Sequence, residues 1–200
     1  MRLAYFFIPL LFFCTSLKAQ EDSLSTIERY TYDTILKGGY KIIFNVDDSM
    51  QYLYLKQHHK IITELSSCSR GLPYKNLGYL AADFQNYFLL AHSFGSGNPT
   101  NIELIEKRTG KNILPNGAAW IDVIESKQML LYSEQDVPGE KDQMVLYDIP
   151  TKKKQWFHFP KAVFGEPQVL NRISISKLTA TALIIKYETE KGIMTKTYSR

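Results

Sequence analysis

Short apolar or aromatic runs alternate with clusters of Gly, Asn, Asp and Lys along nearly all of the chain beyond its first thirty residues or so. Alternation at a period of two puts successive side chains on opposite faces of an extended ribbon, and closely spaced turn-forming clusters fold that ribbon back on itself. Apolar spacing of the helical kind never persists for three turns. The pattern predicts strands over 29–36, 40–46, 52–56, 60–65, 77–83, 87–92, 102–107 and 111–114. The series continues over 120–124, 128–133, 144–149, 155–159, 172–176, 182–187 and 192–198.

The runs recur in order. Tyr79-Leu80 matches Trp120-Ile121, Leu89-Leu90 matches Leu130-Leu131, Ile102-Glu103-Leu104 matches Met144-Val145-Leu146, and Lys111-Asn112-Ile113 matches Lys154-Gln155-Trp156. Tyr40-Lys41-Ile42-Ile43 matches Tyr87-Phe88-Leu89-Leu90 going backwards, and Ile173 and Leu183 match Ile121 and Leu131 going forwards. The matches are of hydrophobic type more than of identity. They divide the chain into units 29–65, 77–114, 120–159 and 172–198, the last with three clear strands. A unit of roughly forty residues with four short antiparallel strands resembles the blade of a β-propeller. The resemblance covers most of the chain, carries no Trp-Asp dipeptide per unit, and implies an all-β, propeller-like fold of about four blades. Four is the low end for a closed ring. A β-sandwich or a lipocalin-like barrel is the alternative architecture for the same strand pattern.

The N-terminal stretch is of another kind. One Arg, an apolar run from Leu3 to Cys14 and a polar patch ending in Ala19-Gln20 make a secretory signal peptide over 1–19, with an apolar stretch too short to span a bilayer. Cys14 follows the bulky Phe13, where a lipidated Cys follows a small residue, so the segment reads as a cleaved leader. The remainder, 20–200, is long enough for one domain with its own core, is exported to the periplasm or medium, and has no further run suited to crossing a membrane. Removing 1–19 takes away Arg2 and Lys18 and no acid, leaving 22 basic against 20 acidic residues. That near balance, with basic residues spread out, gives no electrostatic footprint for nucleic acid. Lys152-Lys153-Lys154 reads as a solvated hairpin turn. Cys68 is the one thiol left after processing, so stability comes from packing and not from an internal disulfide.

Candidate chemistry is sparse. Ala91-His92-Ser93-Phe94-Gly95 looks like the nucleophile elbow of an α/β-hydrolase with Ala at the first Gly, and Asp122 or Asp148 followed by His158 completes a triad in that family's order. An elbow needs a helix after its Ser, however, and here Gly95, Gly97 and Pro99 oppose one. Ser93 and His158 therefore define only an alternative, esterase-like reading. His58-His59 lies between lysines at a hairpin tip, and adjacent strand residues point apart, so it reads as a polar turn and not a metal site. Asp47-Asp48-Ser49 and Glu140-Lys141-Asp142 offer too few oxygens for calcium. Cys68 lacks a nearby His or helix start in sequence to make it reactive. No cofactor or metal is expected.

Aromatic residues provide the remaining binding candidates. Tyr52 and Tyr54 share a strand face, and the segment holding Trp156, Phe157, Phe159 and Phe164 is the densest apolar patch outside the leader. The sequence thus points to a non-catalytic β-repeat protein that binds a protein or other macromolecule, inhibitor or immunity-type proteins included. A small-ligand carrier with a closed barrel is a further alternative.

Overall fold

The computed structural model describes residues 33–72, 74–95, 98–134, 143–164 and 168–200. The expected signal peptide and the Glu140-Lys141-Asp142 loop lie outside the described residues, which belong to one compact unit, Thr31–Arg200. That unit is nearly all β. Its strands are β1 (Thr34–Leu36), β2 (Tyr40–Val46), β3 (Met50–Gln57), β4 (Lys60–Ser69), β5 (Tyr79–Asp83), β6 (Tyr87–His92), β7 (Asn101–Glu106) and β8 (Lys111–Asn112). They continue as β9 (Ala119–Ile124), β10 (Met129–Ser133), β11 (Gln143–Asp148), β12 (Lys153–His158), β13 (Ile173–Leu178), β14 (Ala182–Thr189) and β15 (Gly192–Ser199). One turn of helix, α1 (Tyr74–Leu77), separates β4 from β5, and among the described residues no helix is long and apolar enough to cross a membrane.

Every strand pairing is antiparallel, and within the groups β1 to β4, β5 to β8, β9 to β12 and β13 to β15 consecutive strands pair. The meander β1 to β4 forms one sheet and β13 to β15 another, while β5 to β8 and β9 to β12 are joined only where Asn101 pairs with Ala119. None of these sheets closes on itself. The groups coincide with the units read from the hydrophobic recurrence. Tight hairpin tips explain the spacing: His58 and Lys152 adopt left-handed backbone at the β3–β4 and β11–β12 turns. Of the three lysines read as a solvated turn, however, only Lys152 lies in it, Lys153 and Lys154 beginning β12 with Lys154 half-buried and 2.7 Å from the Glu134 carboxylate.

Burial follows from strand alternation. Along β6, Tyr87, Leu89 and Ala91 face one way and pack with Leu104 of β7 and with Leu130, Tyr132, Val145 and Tyr147 of β10 and β11. Phe88 and Leu90 face the other way, onto Leu36, Ile42, Leu53 and Leu55 of the first sheet. Met129, Leu131, Met144 and Leu146 turn from their neighbours to meet Leu183, Ile185 and Tyr187 of the last sheet. Three core layers thus separate four groups of strands, and each middle group is buried on both faces.

Polar ties cross the same layers. The Asp122 carboxylate in β9 accepts the Ile175 amide of β13 through Oδ2 at 2.7 Å and the Val123 amide through Oδ1 at 2.8 Å. The Ile175 amide lies beside the irregularity in β13, where the ladder skips between Ile175 and Lys177, and the carboxylate supplies its acceptor. Asp122→Ala is expected to lower the unfolding free energy by ~1–3 kcal/mol, since it strands an amide next to the core. Urea denaturation checks this, and an unchanged midpoint would remove the tie from the account.

Candidate functional site

A polar recess lies where the first sheet meets β6 and β7. β4 is the last strand of its sheet, so its outer edge has no ladder partner among the described residues, and Ser66, Ser67 and Cys68 on it form one wall. Asn76 of α1, His92 at the end of β6, and Asn101 to Glu103 at the start of β7 make the floor. The stretch after β8, with Pro115, Asn116 and Gly117, forms the facing wall, and Leu72 and the exposed Phe94 also line the cleft. Its volume is about 390 Å³.

Local structure fixes the floor. His92 and Asn101 are direct cross-strand partners in the β6–β7 ladder, so both side chains leave the sheet on the same side. Gly78, at φ +115°, lets the chain after α1 pass so close that a β-carbon there would sit 2.9 Å from His92 Cε1. His92 Nδ1 lies 3.2 Å from the Asn76 carbonyl oxygen, and Nε2 lies 3.8 Å from Glu103 Oε2, close enough for charge attraction but too long for a hydrogen bond. His92 Nε2 and Asn101 Oδ1 are buried polar atoms without a hydrogen-bond partner among the described residues. Such atoms are costly unless something meets them. Asn112 holds the neighbouring wall, its Oδ1 accepting the amides of Leu104 at 3.1 Å and Leu114 at 3.0 Å.

Burial pushes the His92 pKa down, but the Glu103 carboxylate and the Asn76 carbonyl outweigh it, and the imidazolium is held above its ordinary value of 6.5. A raised folded-state pKa means that protonation stabilises the fold. That contribution is complete below the unfolded value and disappears as pH rises through the folded one. The urea midpoint is therefore expected to fall between about pH 6 and about pH 8 by more in the parent chain than in His92→Gln. Equal falls in the two would assign the pH dependence to other groups.

Comparison with known proteins finds no matching family model, curated protein or solved structure. The chemistry of this chain therefore rests on its own residues.

Cys68 lines the cleft but is not armed by it. Its Sγ accepts a hydrogen bond from Gln51 Nε2 at 3.3 Å, and burial pushes the thiol up from its ordinary value. Gln51 itself is buried and also donates to the carbonyls of Ser69 and Leu72, at 3.2 and 2.9 Å, which anchors this end of β4.

The triad residues named from sequence are dispersed. Ser93 directly follows β6, and the described residues after it, Phe94, Gly95 and 98–100, are not helical. His158 ends β12, and β7, β9, β10 and β11 lie between β6 and β12 in the sheet order. Asp122 is engaged with Ile175, and Asp148 accepts the Thr151 amide at 3.1 Å in a turn. Asp47 Oδ1 likewise accepts the amides of Ser49 and Met50, capping the β2–β3 loop. Among the described residues no group of three His, Cys, Asp or Glu is placed to hold a metal.

The aromatic candidates divide. Trp156 and Phe164 are exposed, whereas Phe157 and Phe159 are buried in the layer beneath the last sheet, because alternation along β12 turns Phe157 away from Trp156 and inward. Of the apolar patch named as a binding candidate, Trp156 and Phe164 are thus the aromatics at the surface. Tyr52 and Tyr54 stack at 5.9 Å on the outer face of the first sheet, and Tyr52 donates to Asp47 Oδ2 at 2.9 Å. The cleft was missed from sequence because its residues come from five separate segments. The signal within reach was a polar pair, His92 and Asn101, ending two apolar strands.

Proposed function

We propose that this chain is an exported, non-catalytic binding protein whose four strand groups act as blades of an open, propeller-like stack, and that it takes up a protein partner at the cleft beside β4. The observation that carries the reading is the pair of buried, unpartnered polar atoms, His92 Nε2 and Asn101 Oδ1, facing a recess of about 390 Å³. Groups left unmet in the free protein favour a ligand that supplies their hydrogen bonds. Catalysis has less support, since Ser93 and His158 stand far apart in strand order and the Cys68 thiol is kept protonated. The three stacked core layers support the blade reading, and the apolar N-terminal run supports export.

Capture from native envelope extract by the immobilised chain tests the proposal. Retention of a partner is expected to persist in Ser93→Ala and to fall in Asn101→Leu, with both variants folded by circular dichroism. Ester turnover by the parent that disappears in Ser93→Ala would instead establish the hydrolase.

A further inference from the structure

We infer that the cleft receives a basic side chain, arginine or lysine, carried by an extended strand of the protein partner that pairs along the free edge of β4. The inference rests on the cleft being the binding site and adds the chemistry of what enters it.

Charge gives the first argument. Glu103 is the one formally charged side chain lining the cleft apart from the titratable His92 and Cys68, and no Lys or Arg lines it among the described residues. The Glu103 side chain lines the recess and is about one-third exposed, 36%, with His92 Nε2 3.8 Å from its carboxylate. Asn101 Oδ1 is a buried acceptor without a donor. A guanidinium or ammonium brings several N–H donors and a positive charge, whereas a carboxylate or phosphate would meet Glu103 and be repelled. Phe94, 51% exposed at the rim, offers an aromatic face on which a guanidinium can lie.

Backbone geometry gives the second. Among the described residues β4 is an edge strand, and Ser66 to Cys68 on that edge are a wall of the same recess. An added strand hydrogen-bonds such an edge through its main chain and sends alternate side chains to one face, so that one of them can enter an adjoining pocket. Elsewhere the buried cation Lys107 is already met by three oxygens and needs no partner. In the cleft the unmet atoms beside Glu103 are the Asn101 Oδ1 acceptor and His92 Nε2, which accepts only once the ring is neutral. Protonated His92 competes for Glu103, so binding is expected to strengthen as pH rises past the His92 titration; Glu103 on β7 and Cys68 on β4 are the other titratable groups facing the cleft.

The test uses the full chain and blocked pentapeptides, acetyl-Val-Thr-Arg-Thr-Val-amide with norleucine and glutamate counterparts at the centre, together with agmatine. Binding is followed by calorimetry and by the NMR signals of the Asn101 side-chain amide and the His92 ring. The Arg peptide is expected to shift both signals, to bind roughly tenfold or more tightly than the norleucine peptide, and to lose a similar factor in Glu103→Gln. Asn101→Asp, which adds a second acid, is expected to tighten it, an effect that misfolding cannot mimic. If the norleucine or glutamate peptide shifts both signals and binds as well, the basic-side-chain inference is overturned while the cleft remains the site. Agmatine binding as tightly as the Arg peptide would overturn the strand pairing. If no probe moves either signal and Asn101→Leu still captures the native partner, the inference falls together with the reading of the cleft.

Discussion

Lys107→Met is expected to lower the unfolding free energy by ~3–5 kcal/mol, the range for breaking a buried ion pair from one side. Lys107 is 1% exposed and follows β7 directly. Its Nζ lies 2.7 Å from Asp83 Oδ1, 2.6 Å from the Phe84 carbonyl and 2.9 Å from the Lys37 carbonyl. The two carbonyls accept hydrogen bonds from the ammonium and the Asp83 carboxylate balances its charge, which is what makes a buried ammonium tolerable. Burial still lowers its pKa, with Asp83 pulling the other way. Met matches the stem but takes the positive charge from Asp83 Oδ1 and the ammonium donors from the Phe84 and Lys37 carbonyls. Because Lys37 lies between β1 and β2, the damage also reaches the junction of the first sheet with β5. Lys37 keeps its own bonds to Asp83, amide to Oδ2 at 2.8 Å and Nζ to the carbonyl at 2.6 Å, so that junction weakens without separating. Urea denaturation measures the loss, and a value below about 1 kcal/mol would mean that water replaces the ammonium at little cost.

The strand groups were legible in the sequence because each layer leaves a period-two trace. β3, with Leu53 and Leu55 inward and Tyr52 and Tyr54 outward, alternates as a strand of an end sheet does, while β6, Tyr87 to Ala91, is apolar throughout because it is covered on both faces. The irregular turns were not legible. The 3-10 turns Lys37–Gly39, Glu125–Lys127 and Val169–Arg172, and the single turn α1, are too short to show a helical period. The buried Lys107 could not be found either: its acceptors are main-chain oxygens of Lys37 and Phe84, which sequence does not mark. For the site, the non-helical backbone that follows Ser93 among the described residues was legible from Gly and Pro chemistry, but the cleft depends on which strand edges stand side by side. His92 was read only as a neighbour of Ser93, although its pairing with Asn101 in the hairpin is what places it. In the Trp156 to Phe164 segment, composition drew attention to the aromatics, and alternation decided which of them point inward.

Adjacent substitutions in β6 test the layered core. Phe88→Ala is expected to cost ~3–5 kcal/mol and Leu89→Ala ~2–5 kcal/mol, because both residues are 0% exposed and each leaves a cavity in packed surroundings. In a strand covered on one face only, one of two neighbours would tolerate truncation. Ile61→Ala, at a site 53% exposed on β4, is expected to change stability by less than about 0.5 kcal/mol. The two large losses are also expected to differ in place. Phe88 packs on Leu53 and Leu55, so its truncation should speed amide hydrogen exchange first in β2 and β3. Leu89 packs toward Leu130 and Val145, so its truncation should act first on β10 and β11. Faster exchange in the same strands for both variants would mean that one shared core, and not separate layers on the two faces of β6, holds these sheets together.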